Sequence, residues 1–274
     1  MNRRFGTAVC ALVALSLSGG ILRAQTQASA KADLGSNTAK NGFRNEDEIA
    51  AKFNNWRTDA EAKTWLAALG VKDPGAIRSV TTSKPHGEKA DIVVKIVTAG
   101  GEQREGISIK LVSSDNGFNQ IDKRWVAHYA TLWKLPGDVE NTLELFVGDL
   151  KPAKAGRDPQ RIYLDEVDPS ARNKVIAFFT DNKGTIVSDL LRGHGEYRAD
   201  WILVALKSGT QPRWILRKMD YAIRYFGDGP VTVTNRGNLK IGRITMQRKG
   251  GDGGRDSARM LQFKINPALL FEGK

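Results

Sequence analysis

The chain has 274 residues, 41% hydrophobic and 26% charged, an ordinary globular composition that excludes a disordered chain, a collagen and a polytopic membrane protein. Its 42 Lys and Arg against 30 Asp and Glu give a formal charge of +12, which favours polyanionic partners, nucleic acid first and an anionic membrane surface second. One cysteine, Cys10, and three scattered histidines, His86, His128 and His194, exclude a disulfide framework and a multi-Cys zinc module, and count against a His-based metal site.

In chain order, Arg3 and Arg4 precede an apolar run from Ala8 to Leu17, then Gly19, Gly20 and small residues through Ala30. This describes a secretory signal, too short to span a bilayer comfortably. Residues 1–30 read either as such a leader or as the product of a misassigned start. Their basic residues are Arg3, Arg4 and Arg23, so most of the basic excess belongs to the body, which reads as one domain over 31–274. A polar arm over 31–45 leads to a helix from Glu46, with Ile49, Phe53 and Trp56 on one face. A second helix over 59–69 ends at Gly70. Two β-branched strands follow at 90–97 and 106–112, separated by Ala99-Gly100-Gly101. After the Asn116-Gly117 turn, Asn119 is placed to cap a helix carrying Trp125, Tyr129 and Trp133. Residues 148–160 form a loop and 161–192 are mostly helical. Trp201–Leu206 and Arg213–Leu216 read as strands, as do Leu239–Lys249 and Arg259–Ile265 on either side of a glycine-rich loop.

The chemistry concentrates on the strands at 91–110. Ser108 and Lys110 are two apart and project from one face, and antiparallel pairing brings Asp91 near that face. An acid on one strand and a lysine on the next is the pattern of metal-dependent phosphodiester cleavage. The acid holds a divalent ion, Mg2+ being suited because it needs few protein ligands, and the lysine orients water or stabilises the transition state. The Ile109 carbonyl and Glu46, at the head of the first helix, are further candidate ligands. The loop after Lys110 carries Asn119 and Gln120, which would then lie close to a bound nucleic acid. The segment 235–267 is basic, and Arg243, Thr245, Gln247 and Lys249 alternate onto one face. With Arg248, Asp252 and Arg255, it has the side chains that read bases and grip phosphates of duplex DNA.

With these residues identified, the chain resembles the GCGC-cutting type II restriction endonucleases of the HinP-one-I type, within the PD-(D/E)XK nuclease superfamily. The resemblance runs from about Leu34 to Phe271. It rests on GSNTAKNGFRNEDEIAAKFNNW at 35–56, IKLVSSDNGFNQIDKRWVAHY at 109–129, DLLRGHGEYRADWILVALK at 189–207, RWILR at 213–217 and ITMQRKGGDGGRDSARMLQFKINP at 244–267.

The resemblance implies a mixed α+β, restriction-endonuclease-like core with a central mixed sheet flanked by helices. It implies Mg2+-dependent double-strand cleavage at a short palindrome, GCGC, with Mn2+ able to take the place of Mg2+. Asp91 matches the family's metal-binding acid and Lys110 its catalytic lysine. Three departures stand out: Ser108 where the family has Gln, Ala90 where it has Ser, and an acid-to-lysine spacing two residues shorter. The implied partners are double-stranded DNA and a cognate methyltransferase, with no membrane, for a monomer or homodimer in the cytoplasm. A DNA-binding protein silenced at Ser108 and an exported periplasmic nuclease are the alternatives.

Overall fold

The computed structural model describes residues 40–251 and 255–272, so the leader and Asp252 lie outside the described residues. Helix α1 spans 40–54, carrying Ile49 and Phe53 fully buried. Glu46 is therefore inside this helix, not at its head. Helix α2 (Ala60–Ala68) follows, with Asp59 as its N-cap accepting from the Ala62 amide at 2.9 Å, a contact worth about 1 kcal/mol. Gly70, at φ 97°, ends the segment in the left-handed region that glycine adopts without strain.

One sheet has the order β1-β2-β3-β5-β6, with β1 (Ile77–Ser83), β2 (Ile92–Thr98), β3 (Gly101–Val112), β5 (Trp201–Leu206) and β6 (Arg213–Lys218). It is mixed: β3 and β5 run parallel and the other pairs antiparallel. Every residue of β5 is buried, as an apolar strand covered on both faces must be. Trp201 and Leu203 join a core made with α1 and α2, whereas Ile202, Val204 and Leu206 join a larger one on the other face.

Helices α3 (Val126–Trp133), α4 (Gly137–Val147), α5 (Pro169–Asp181), α6 (Lys183–Leu191) and α7 (Met219–Gly227) supply that larger core. It is shared with a second, wholly antiparallel sheet of order β4-β10-β9-β8-β7. Its strands are β4 (Asn119–Arg124), β7 (Val231–Val233), β8 (Leu239–Ile241), β9 (Ile244–Arg248) and β10 (Leu261–Ile265). Ile244, Met246, Leu261, Phe263 and Ile265 point into the core. The alternate residues Thr245, Gln247, Gln262 and Lys264 lie on the opposite, polar face.

Three local expectations are corrected. Residues 119–124 form strand β4, so Asn119 caps no helix, and α3 begins only after Trp125. Leu239–Lys249 is a hairpin rather than one strand. It turns at Gly242, φ 57°, where an added Cβ would approach the Asp228 carbonyl to 2.6 Å. Residues 256–259 form a 3-10 turn before β10.

Candidate active site and nucleic-acid face

Strand β2 begins at Ile92, opposite Ile107 of β3. Beyond that point β3 continues without β2 beside it, and Asp91 takes over the bare edge. Its backbone N–H donates to the Ile107 carbonyl at 2.9 Å. Its Oδ2 accepts from the Ile109 amide at 2.5 Å, from Ser108 Oγ at 3.2 Å and from Lys110 Nζ at 3.3 Å. The sheet thus uses a carboxylate where a strand would have accepted an N–H, and fixes that carboxylate beside the lysine.

Lys110 Nζ also donates to the Ile109 carbonyl at 3.0 Å. A carboxylate oxygen and a carbonyl oxygen therefore converge on one cationic group. Hard oxygen donors around a positive charge are what Mg2+ requires, and one or two carboxylates with waters suffice. Glu46 lines the same cleft of about 260 Å³ with Asp91, Ile109, Lys110, Asn119 and Gln120. Burial pushes the Glu46 carboxyl above the ordinary carboxylate range and the charge of Asp91 adds to this, while Lys84, paired at 3.1 Å, opposes both. The donor set fits a hard divalent cation. Ser108 is buried with its hydroxyl directed to Asp91.

Behind this cleft, Asp91, Ser108 and Lys110 line a smaller cavity of about 70 Å³ together with Lys89. Lys89 is tied to Asp122, the Ile121 carbonyl and the Leu190 carbonyl. Asp122 also accepts from Tyr129 at 2.5 Å and Arg124 at 3.0 Å. Asp189 accepts from Trp133 at 3.0 Å and pairs with Arg124 at 3.6 Å, and the exposed His194 places its Nε2 3.0 Å from it. This buried ionic network escaped the sequence reading, because its members come from five separate stretches and no spacing links them.

The expected DNA contacts divide. Asn119 and Gln120 enter the cleft with Asp91 and Lys110. Gln120 accepts from Gln262 at 2.6 Å, and Gln262 in turn accepts from Gln247 at 3.2 Å. Three side-chain amides thus cross β4, β10 and β9 in a line. Lys264 belongs to the basic segment singled out from the sequence, whereas Gln262, itself buried between Leu261 and Phe263, was not singled out. Gln247 and Lys264 line a groove of about 640 Å³ with Phe118, Thr245 and Arg236. Arg243 lies apart from these: its guanidinium donates to the Tyr225 carbonyl at 2.6 Å and to Asp228 at 2.9 Å, at the end of α7. Arg248 faces a different groove, with Arg157 and Arg161. Lys249 donates its amide to the Met260 carbonyl, and the Arg255 carbonyl accepts from the Ala258 amide. Among the described residues, no helix is long and apolar enough to cross a membrane.

A family model described as R.HinP1I restriction endonuclease matches residues 71–271. Among solved structures, the chain is similar to restriction endonuclease MspI in complex with its cognate DNA, at a TM-score of 0.57 and 14% identity, covering 81% of this chain and 88% of that chain. That likeness concerns the fold. No curated protein matches the chain.

Proposed function

The chain belongs to the R.HinP1I restriction endonuclease family, and from that membership we propose that it makes Mg2+-dependent double-strand cuts in DNA at the palindrome GCGC. The observation that carries the chemistry is the convergence of Asp91 Oδ2 and the Ile109 carbonyl on the Lys110 ammonium, at 3.3 Å and 3.0 Å, in a cleft that also holds Glu46.

In this reading Asp91, Glu46 and the Ile109 carbonyl hold the cation. Bound there, it supplies positive charge against the scissile phosphate and acidity to a water, and Mn2+ can replace it. Lys110 orients the attacking water or stabilises the charge that grows on the phosphate in the transition state. The Ser108 hydroxyl and the Ile109 amide keep the Asp91 carboxylate aimed at the cleft. Asn119 and Gln120 meet the DNA beside the scissile bond.

Recognition falls to the polar face of the second sheet. From Gln120 to Gln247 the amide line crosses two strand spacings, about 10 Å, which is the rise of about three base pairs. A reader of that length suits a short palindrome, and amides and ammonium groups are the donors that read purine edges in the major groove. The partner activity is a methyltransferase protecting the same sequence, which places both proteins in the cytoplasm. Cutting both strands of a palindrome requires two active sites or two successive nicks, so a monomer and a homodimer both accommodate the chemistry.

The test is a digestion of plasmid DNA with purified protein and Mg2+, followed by sequencing of the fragment ends. Discrete fragments ending within GCGC support the proposal. A smear, or no cutting with either Mg2+ or Mn2+, rejects it.

A further inference from the structure

A second polar groove opens where β9 outruns its neighbour. Strand β8 pairs with β9 only as far as Leu239 opposite Met246, so Gln247 and Arg248 extend beyond it. The groove at this bare edge measures about 460 Å³ and is lined by Arg157, Arg161, Arg236 and Arg248 with Tyr163 and neighbouring amides. Among the described residues, no carboxylate lines it.

The groove is built rather than incidental. Tyr163 is flanked by two guanidinium groups, Arg157 at 4.3 Å and Arg161 at 4.0 Å from its ring centre. Their acidic partners lie behind the lining: Asp165 and Glu166 for Arg157, Asp158 for Arg161. The opposite wall is the β7–β8 turn, docked by the Leu164 amide donating to the Gly237 carbonyl at 3.1 Å. Gly237 has φ 70°, and an added Cβ would stand 2.5 Å from Tyr163, so only glycine lets the two walls meet this closely. Between them, Arg248 has a buried Nε with no hydrogen-bond partner. Burial and the neighbouring charge of Arg161 both push its guanidinium below the ordinary arginine value. The guanidinium groups of Arg248 and its neighbours crowd one polar groove, and bidentate recognition of phosphate is the natural use of such forks.

Gln247 lines both this groove and the one bounded by Lys264 and Thr245. A duplex read by the amide line therefore continues towards the arginines. We infer that Arg157, Arg161, Arg236 and Arg248 form a backbone-phosphate site for the DNA flanking the palindrome, so that the protein grips the flank as well as the recognition bases. This rests on the reading of the second sheet as the DNA face.

The experiment compares two labelled duplexes by fluorescence anisotropy in Mg2+-free buffer. One is trimmed to the edge of the palindrome and the other is extended by about one helical turn on each side. Wild-type protein is expected to bind the extended duplex about tenfold more tightly. Arg157→Ala should remove most of that advantage and leave the trimmed duplex unaffected, and Arg157→Lys should keep it. On the extended duplex, the slope of log K against log salt should fall in magnitude by about 1 for each arginine lost. Arg157 is exposed, and a thermal melt verifies the fold of its variants. Arg248→Gln, verified by its thermal melt, should act in the same direction. Equal affinity of wild-type protein for both duplexes, or equal weakening of both by Arg157→Ala, overturns the flank site while leaving the nuclease reading intact. Failure of wild-type protein to bind either duplex removes both.

Discussion

The Lys110 ammonium stands 3.3 Å from the Asp91 carboxylate, on the stretch of β3 that β2 does not cover. Replacing Lys110 by Ala removes the group proposed to meet the phosphate but leaves Asp91 its bonds from the Ile109 amide and Ser108. Lys110→Ala is expected to lower the cutting rate at least about 1,000-fold, the size of a lost electrostatic stabiliser. Binding of the cognate duplex should change less than about tenfold. Single-turnover cleavage and anisotropy on the same preparation separate the two effects, and parallel loss of both would remove Lys110 from the chemistry.

Ser108 is buried beside the small cavity that Asp91, Lys89 and Lys110 share. Its hydroxyl is short and already directed to Asp91, whereas the family resemblance has a glutamine at this position. Ser108→Gln extends an amide towards the cleft. We expect it to raise the single-turnover rate about tenfold at limiting Mg2+, with the difference shrinking as Mg2+ saturates, because a better-oriented ligand set acts mainly through cation affinity. A rate that falls equally at all Mg2+ concentrations would show that the larger side chain disrupts packing instead.

The parts of the molecule legible in the sequence are those whose signal is local. Ile49, Phe53 and Trp56 repeat at helical spacing, and all three are buried. Ser108 and Lys110 follow from alternation along β3, and Asp91 from the antiparallel pairing of the strand that it precedes. Strand β4 was hidden because Asn119–Arg124 has Ile121 as its single apolar residue. Its extended form is imposed by β10, more than a hundred residues later. A register shift between Phe263 and Lys264 then turns Asp122 inward while Gln120 stays exposed, and no periodicity in β4 predicts that. Gly242 does mark a turn in the sequence, but the approach of the α7 carbonyls that requires it is visible only in three dimensions.

Lys264 is half-buried in the groove on the proposed recognition face, and burial alone pushes its ammonium below the ordinary lysine value. The unfolded chain binds that proton more tightly than the folded one. Stability contributed here therefore rises with pH between the folded and ordinary lysine values and is lowest below both. Lys264→Met should stabilise the free protein by about 0.5 kcal/mol at neutral pH, after allowing for solvent screening of a partly exposed group. It should weaken DNA binding by about 1–2 kcal/mol. Urea denaturation at several pH values and duplex titration test both halves, and a variant less stable than wild type at neutral pH contradicts the argument.

Gly193 makes room for Lys89, which lines the small cavity with Asp91, Ser108 and Lys110. It has φ 69°, and an added Cβ would collide with the Lys89 side chain. Gly195, two residues on, has φ 77° with nothing near its missing Cβ. Alanine at either position carries the left-handed backbone cost of about 1–2 kcal/mol. Only at position 193 does it also displace Lys89 from Asp122, and breaking a buried pair costs about 3–5 kcal/mol. Arg124 and Tyr129 still donate to Asp122 in the variant, so the lower end of that range applies. Gly193→Ala should therefore melt about 10 °C below wild type, and Gly195→Ala only a few degrees below, at about 2–4 °C per kcal/mol for a chain of this size. Because Lys89 shares its cavity with Asp91 and Ser108, Gly193→Ala should also lower the cutting rate at a temperature where it is fully folded. Equal melting temperatures for the two variants would show that Lys89 yields freely and that its ties to Asp122 and α6 do not support the catalytic strands.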